Sequence, residues 1–142
     1  MNARDIRLVQ FTFEMIAPDA DMAAEAFYRH LFALDPSLRP MFRGDMKEQG
    51  EKLMKILAVV VRGLDRIEAL LPAVRSLGQR HVRHGVQAAH YDTFAAALLA
   101  TLREGLGAIF TDEVKAAWTA AYTALAGVML EAASHVAQER VA

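Results

Sequence analysis

His81 closes the helically spaced set Val74, Leu77, His81, and Gln49 opens a second, Gln49, Leu53, Ile56, Leu57, Val60. Residues three and four apart share one face of a helix, so each set places one polar side chain on an otherwise apolar surface. A buried polar group needs a partner. If the two faces oppose each other across a flat apolar cofactor, the imidazole ligates a metal from one side and the amide serves a ligand on the other. That layout suits a haem, whose iron takes a neutral imidazole as proximal ligand and keeps the opposite position for a diatomic gas.

Tyr28 and Phe42 complete the constellation. Bound dioxygen draws electron density from ferrous iron, so donors aimed at it are worth roughly 1 kcal/mol or more each. The Tyr28 hydroxyl and the Gln49 amide are both donors. Leu53, one turn past Gln49, limits the room for a ligand, and Phe42 stacks against the macrocycle. The second nitrogen of His81 is expected to donate to a backbone carbonyl near Leu77, fixing the coordinating tautomer. Lys52 pairs with a haem propionate, with iron coordination by its deprotonated amine as the alternative. Taken singly, a histidine on an apolar helix face is more often a hydrogen-bonded core residue, and a helical tyrosine more often packs its ring and wets its hydroxyl. The joint spacing carries the reading. His84, one turn after His81, is expected at the surface, and His30, His90 and His135 carry weaker signals.

The elements that position these residues read as helices throughout. Period-two alternation is absent, and Ala, Leu, Met, Glu and Arg dominate where apolar residues recur at helical spacing. Ile6, Val9, Phe13 and Ile16 line a first helix that Ala17 and Pro18 end. Asp19 or Asp21 caps a second, burying Phe27, Tyr28, Leu31 and Phe32. Pro36 opens a short helix to about Met41, and Phe42, Arg43 and Gly44 turn a corner. A helix over about Met46 to Leu64 bears Gln49. After a punctuated stretch from Asp65 to Leu71, Pro72 opens the helix of His81, which Gly85 stops. Phe94, Leu98, Thr101, Leu102 and Ile109 share a face of the next helix. Thr111, with Asp112 and Glu113, starts the last, lined by Val114, Trp118, Ala121, Tyr122, Leu125 and Met129. The expectation is an all-α bundle of about seven helical segments forming one domain over residues 1–142.

Composition narrows the function classes. The 142 residues are 54% apolar and 23% charged, with 8 Gly and 4 Pro, which excludes disordered and fibrous classes. Net charge is −1 with both signs interleaved along the sequence, so nucleic acid is not an expected partner. The absence of cysteine rules out disulfides, thiolate haem ligation and iron–sulfur clusters. The stretch Leu53 to Leu64 is broken by Lys55 and Arg62 and is too short to cross a bilayer, and MNARDIRLVQ lacks a secretory apolar run. A cytoplasmic protein, monomeric or homodimeric, is expected.

The segments FYRHLFALDPSLRPMF, QGEKLM, LGQRHVRHGV, AAHY and EVKAAWTAAY resemble the globins. The resemblance is to bacterial single-domain haemoglobins akin to the haem domain of flavohaemoglobins, and more distantly to neuroglobin. It runs from about Ile6 to Met129. It implies a globin fold with haem b, His81 as proximal ligand, Phe42 as the ring-packing phenylalanine, and Tyr28 with Gln49 as the distal pair. Leu53, Leu77, Val86 and Tyr91 would line the cofactor. In the flavohaemoglobin group the proximal histidine is joined by a tyrosine and a glutamate. Tyr91 matches the tyrosine, whereas the glutamate's position falls on Ala133, and Glu131 is turned from it by roughly 200° on a 3.6-residue helix.

The resemblance implies reversible binding of dioxygen, nitric oxide and carbon monoxide, with nitric oxide dioxygenase capability. The residues include no glycine-rich dinucleotide fingerprint after a strand, so a separate reductase is expected to return the iron to the ferrous state. The alternative is an oxygen store or transporter, or a gas sensor, without turnover. A helical bundle that no longer binds haem is the third possibility.

Overall fold

A computed structural model describes residues 1–141, with side chains through Val136. Six α-helices form the body: α1 (Ala3–Ile16), α2 (Ala20–Leu34), α3 (Met46–Arg62), α4 (Ile67–Arg83), α5 (Ala88–Leu106) and α6 (Asp112–Val141). Short 3-10 segments occupy Ala17–Asp19, Pro36–Met41, Leu64–Arg66 and Gly107–Ile109. The described residues contain no strand.

Local chemistry sets most helix ends. Asp45 caps α3 by accepting the Lys47 N–H at 2.8 Å, and the Thr111 hydroxyl accepts the Val114 N–H at 3.2 Å to start α6. Asp19 occupies the N-cap of α2 but makes no side-chain bond there. Gly85 follows α4 at φ +92°, where a side chain would be strained. α4 begins at Ile67 rather than Pro72. Ile67 and Leu70 bury inward from its first turn, and Pro72 stands on the exposed side, forfeiting one backbone bond within an otherwise well-packed helix.

Three clusters make the interior. The largest joins Val9, Phe13 and Ile16 of α1 to Leu102 and Leu106 of α5 and to Val114, Trp118 and Ala121 of α6. At its centre the Trp118 indole N–H donates to the Thr12 hydroxyl at 2.8 Å, and that hydroxyl donates to the Leu8 carbonyl. A second cluster gathers Tyr28, Leu31, Leu38 and Ala97 with Phe27, Phe32, Met41, Phe42, Leu53 and Phe94 packed around it. The third holds Val74, Tyr91, Ala126 and Met129 with Leu70, Leu77 and Val86. α2 packs on α3 and α5, and α4 packs on α6, but α3 and α4 share no packed interface. The second and third clusters therefore stand apart as the two walls of a crevice.

Candidate functional site

The crevice wall formed by α3 carries Gln49, Leu53, Leu57 and Val60, all half-buried, and the wall formed by α4 carries Leu77 and His81 in the same state. Ile56, expected on the inner face of α3, is 38% exposed and turns to the outer edge. Tyr91 of the third cluster meets Phe94 of the second edge-on, rings 6.2 Å apart, and Met41 of the corner approaches Gly85 after α4. Apolar side chains left half-covered on two facing walls are a feature of a site shaped for a large apolar ligand. Covering each remaining half contributes roughly 1 kcal/mol.

Two glycines set the walls. A Cβ at Gly50 would lie 2.9 Å from the Ala24 Cβ, so α3 crosses α2 at close range, which brings Gln49, the preceding residue, to Tyr28. A Cβ at Gly78 would overlap the Met129 carbonyl, so α4 rests on the backbone of α6 one turn before His81. Neither glycine announces itself in the sequence, because each is required by a neighbour distant along the chain. Their one signal is glycine in a helix interior, where it costs about 1 kcal/mol against alanine.

Tyr28 is 7% exposed and held by aromatic rings: Phe27 edge-on at 5.2 Å, Phe32 stacked at 5.9 Å and Phe42 edge-on at 5.2 Å. Burial pushes its hydroxyl up to about 12, an effect partly offset by the polar contact with Gln49. The phenol is therefore protonated, and a donor, across the physiological range.

On the opposite wall His81 is half-buried. Its pKa is lowered, first by burial and then by the charges of Arg80 and His84, so the neutral imidazole that ligates metals is favoured. Nδ1 is buried and has no hydrogen-bond partner, contrary to the expected bond to a carbonyl near Leu77. In a continuous helix that carbonyl accepts the His81 backbone N–H, and the His81 carbonyl itself accepts the Val86 N–H at 2.9 Å. Tyr91 lies beside the imidazole, rings 6.4 Å apart. Its hydroxyl is also buried without a partner, while its carbonyl accepts the Tyr122 hydroxyl at 2.6 Å. Ala133 is half-buried and Glu131 exposed, so Glu131 does not turn inward to reach either group.

Lys52 and His84 are exposed. His90 caps α5, its Nδ1 accepting the Gln87 N–H at 2.9 Å. His30 lies 3.6 Å from Glu104. Tyr28, Phe42, Gln49 and Leu53 are thus gathered on one side of the crevice, and Leu77, His81, Val86 and Tyr91 on the other. No group of three or more His, Asp or Glu side chains converges among the described residues. A lone imidazole facing a flat apolar crevice fits a metal whose remaining ligands come from a macrocycle. A separate hollow of about 490 Å³ between α5 and α6, lined by Tyr91, Trp118, Tyr122 and Leu130 among others, has no such imidazole.

The Globin family model matches residues 25–129. The chain is a globin. Its relatives include the flavohemoprotein of Bordetella parapertussis, 32% identical over 126 residues that cover 87% of this chain and 31% of the relative. That of Vibrio cholerae is 30% identical over 129 residues, 89% of this chain and 33% of the relative. This globin spans about a third of the length of these relatives. Among solved structures, an engineered carbene transferase made from a provisionally assigned nitric oxide dioxygenase of Rhodothermus marinus superposes with a TM-score of 0.90 at 27% identity, covering 100% of this chain and 99% of that one. A bacterial globin from Campylobacter jejuni gives 0.84 at 20% identity, covering 96% and 99%. Globins are haem-binding proteins of diatomic gases. No helix among the described residues is long and apolar enough to cross a membrane.

Proposed function

We propose that this globin, as a single domain, would hold haem b between α3 and α4 with His81 as the residue that ligates its iron, and bind dioxygen, nitric oxide and carbon monoxide reversibly. We further propose that it acts as a nitric oxide dioxygenase served by a separate reductase. The supporting observation is the pairing of two donors, the Tyr28 hydroxyl and the Gln49 amide, on the wall facing His81. When bound, the haem supplies an iron that takes the gas and the redox chemistry by which nitric oxide and dioxygen become nitrate, leaving ferric iron for the reductase.

This chain's residues supply the rest. Tyr28 presents a proton held by a phenol too weakly acidic to lose it, so it donates to an anionic acceptor in a low-dielectric pocket. Gln49 adds a second donor from a neutral amide. The rings of Phe27, Phe32 and Phe42 fix the Tyr28 ring and exclude water. Phe42 and Leu53 bound the gas side, and Leu77, Val86 and Tyr91 pack the proximal side. Lys52, on the rim, pairs with a propionate. The lowered pKa of His81 keeps its lone pair available. A reducing cytoplasm suits a chain without cysteine, and the working species is a monomer or homodimer.

One observation favours a second reading, an oxygen store. The proximal Tyr91 hydroxyl has no acid beside it, so the extra polarisation of the histidine that a carboxylate would give is missing. The two separate on one experiment. The oxygenated protein is mixed with nitric oxide, nitrate is measured, and the ferric product is exposed to cell extract. Stoichiometric nitrate with re-reduction supports the dioxygenase; nitrate without re-reduction leaves the store. A protein with no Soret band after haem supplementation, or an unaltered band in His81→Ala, overturns the haem assignment.

A further inference from the structure

The charge of the chain is interleaved along its sequence but segregated in space. Residues 39–55 and 69–91, which form the corner, the first part of α3, most of α4, the turn after it and the first turn of α5, carry eight of the sixteen Lys and Arg but only three of the 17 Asp and Glu. Their net charge is +5, against −6 for the rest of the protein. All eight cations are exposed, and none is in a salt bridge among the described residues, where Arg4, Arg29 and Arg62 hold those positions. Cations at the end of α4 complement its dipole, but that accounts for the last turn only, not for Arg39 through Lys55.

The same region carries an apolar strip. On α3, successive residues turn by about 100°, which sets Glu48, Lys52, Lys55, Ile56 and Val59 side by side on the outer edge of the crevice, two cations against one carboxylate. Ile56 is 38% exposed and Val59 60% exposed. At the end of α4 stand Arg80 and, just after it, His84, both exposed. Two neighbouring exposed aliphatic side chains bordered by charged groups, with Lys55 in no salt bridge among the described residues, have the composition of a protein interface with a charged rim.

We propose that this face, the outer edge of α3 with the opposing end of α4, is the docking surface for an acidic flavoprotein that delivers electrons to the site. The inference rests on the proposed reading of the crevice as a haem pocket served by an external reductase. The −6 of the rest of the protein repels an acidic partner while the +5 of the segments that flank the crevice attracts it, so the partner arrives on the crevice side rather than elsewhere. There one electron passes from the reduced flavin to ferric iron. The donor loses that electron, the iron becomes ferrous, and no bond is made or broken.

The test uses haem-loaded ferric protein with flavodoxin, a small acidic flavoprotein, as the donor. Reduction is followed by stopped flow, and binding to oxidised flavodoxin by calorimetry. Wild type should lose about tenfold or more in second-order rate as ionic strength rises until the Debye length drops to about 3 Å. Lys55→Glu should be slower about three- to tenfold at low salt, with weaker binding, and equal to wild type at high salt. Val59→Ser should weaken binding at all salt concentrations. Lys115→Glu on α6, with the same net charge, should behave as wild type. Equal effects of Lys55→Glu and Lys115→Glu, a salt-independent rate, or no heat with wild type would each overturn the docking surface while the haem spectrum stands. A loss of the Soret band would overturn the reading beneath it. Lys55-dependent binding to anionic phospholipid vesicles without flavodoxin binding would reassign the face to a membrane and overturn the proposal.

Discussion

Gly78 permits a test of the packing that holds the His81 wall, independent of any ligand. A Cβ there would overlap the Met129 carbonyl oxygen and stand 2.7 Å from the Met129 Cα and 2.9 Å from its carbonyl carbon. All three are backbone atoms of α6, so no side chain can swing aside. Relief to ordinary van der Waals contact requires α4 to retreat by about 1 Å. Val74, 3% exposed, and Met129, 9% exposed, lose contact in that movement. Overpacking of this kind costs about 1–3 kcal/mol, against a gain of up to about 1 kcal/mol for alanine over glycine in a helix. The expected net for Gly78→Ala is a loss of about 1–2 kcal/mol, or roughly 3–6 °C in Tm.

Gly127, on α6 and exposed, supplies the control, since a Cβ there meets nothing within 4 Å. Gly127→Ala should gain up to about 1 kcal/mol by the same propensity term. The same substitution in two helices is thus expected to have opposite signs. Urea unfolding monitored by circular dichroism measures both, with m unchanged if only the native state is affected. A Gly78→Ala protein as stable as wild type, or stabilised like Gly127→Ala, would refute the close approach of α4 to α6 as the device that sets the His81 wall.

Tyr28→Phe should leave the apoprotein within about 0.5 kcal/mol of wild type, because the ring packing against Phe27, Phe32 and Phe42 is retained. It should raise the oxygen dissociation rate tenfold or more, the equivalent of about 1.4 kcal/mol or more for a bond to a partly charged acceptor. Gln49→Leu should act in the same direction, and flash photolysis of both variants with unchanged rates would sink the distal assignment. Thr12→Val leaves the Trp118 indole N–H without its 2.8 Å acceptor in the core, which should cost about 1–3 kcal/mol in denaturant unfolding. Because the His81 pKa is lowered by folding, the unfolded chain binds the extra proton first as pH falls. Apoprotein stability should therefore be undiminished above about pH 6.5, the ordinary histidine value, and fall as pH drops from there towards the folded-state pKa. The difference between wild type and His81→Leu across that window isolates this effect.

What the sequence disclosed and what it withheld divide along a physical line. Helix ends are decided within a few residues, so the Thr111 cap and the Gly85 stop can be read locally and are present. The two crevice walls are each one helix, so spacing alone places Gln49 above Leu53 and His81 above Leu77. Errors arise where a neighbour decides. Ile56 and Ile109 have the period of buried positions, yet the first turns to the crevice edge and the second falls in a 3-10 turn, 42% exposed. Pro72 carries a start signal, but the burial of Ile67 and Leu70 begins the helix a turn earlier.

The distance between the walls is the least legible quantity of all. It depends on how closely α3 lies on α2 and α4 on α6, and those approaches are set by Gly50 against Ala24 and Gly78 against Met129. Each contact joins residues far apart in sequence, and each removes a side chain instead of adding one, so no periodic pattern records it. A ligating histidine and a donor pair at the right spacing therefore define the chemistry on offer, while two absent Cβ atoms determine whether the walls stand where that chemistry can occur. Gly50→Ala should for that reason perturb the distal donors, and Gly78→Ala the proximal ligand, even though neither residue need touch what the crevice holds.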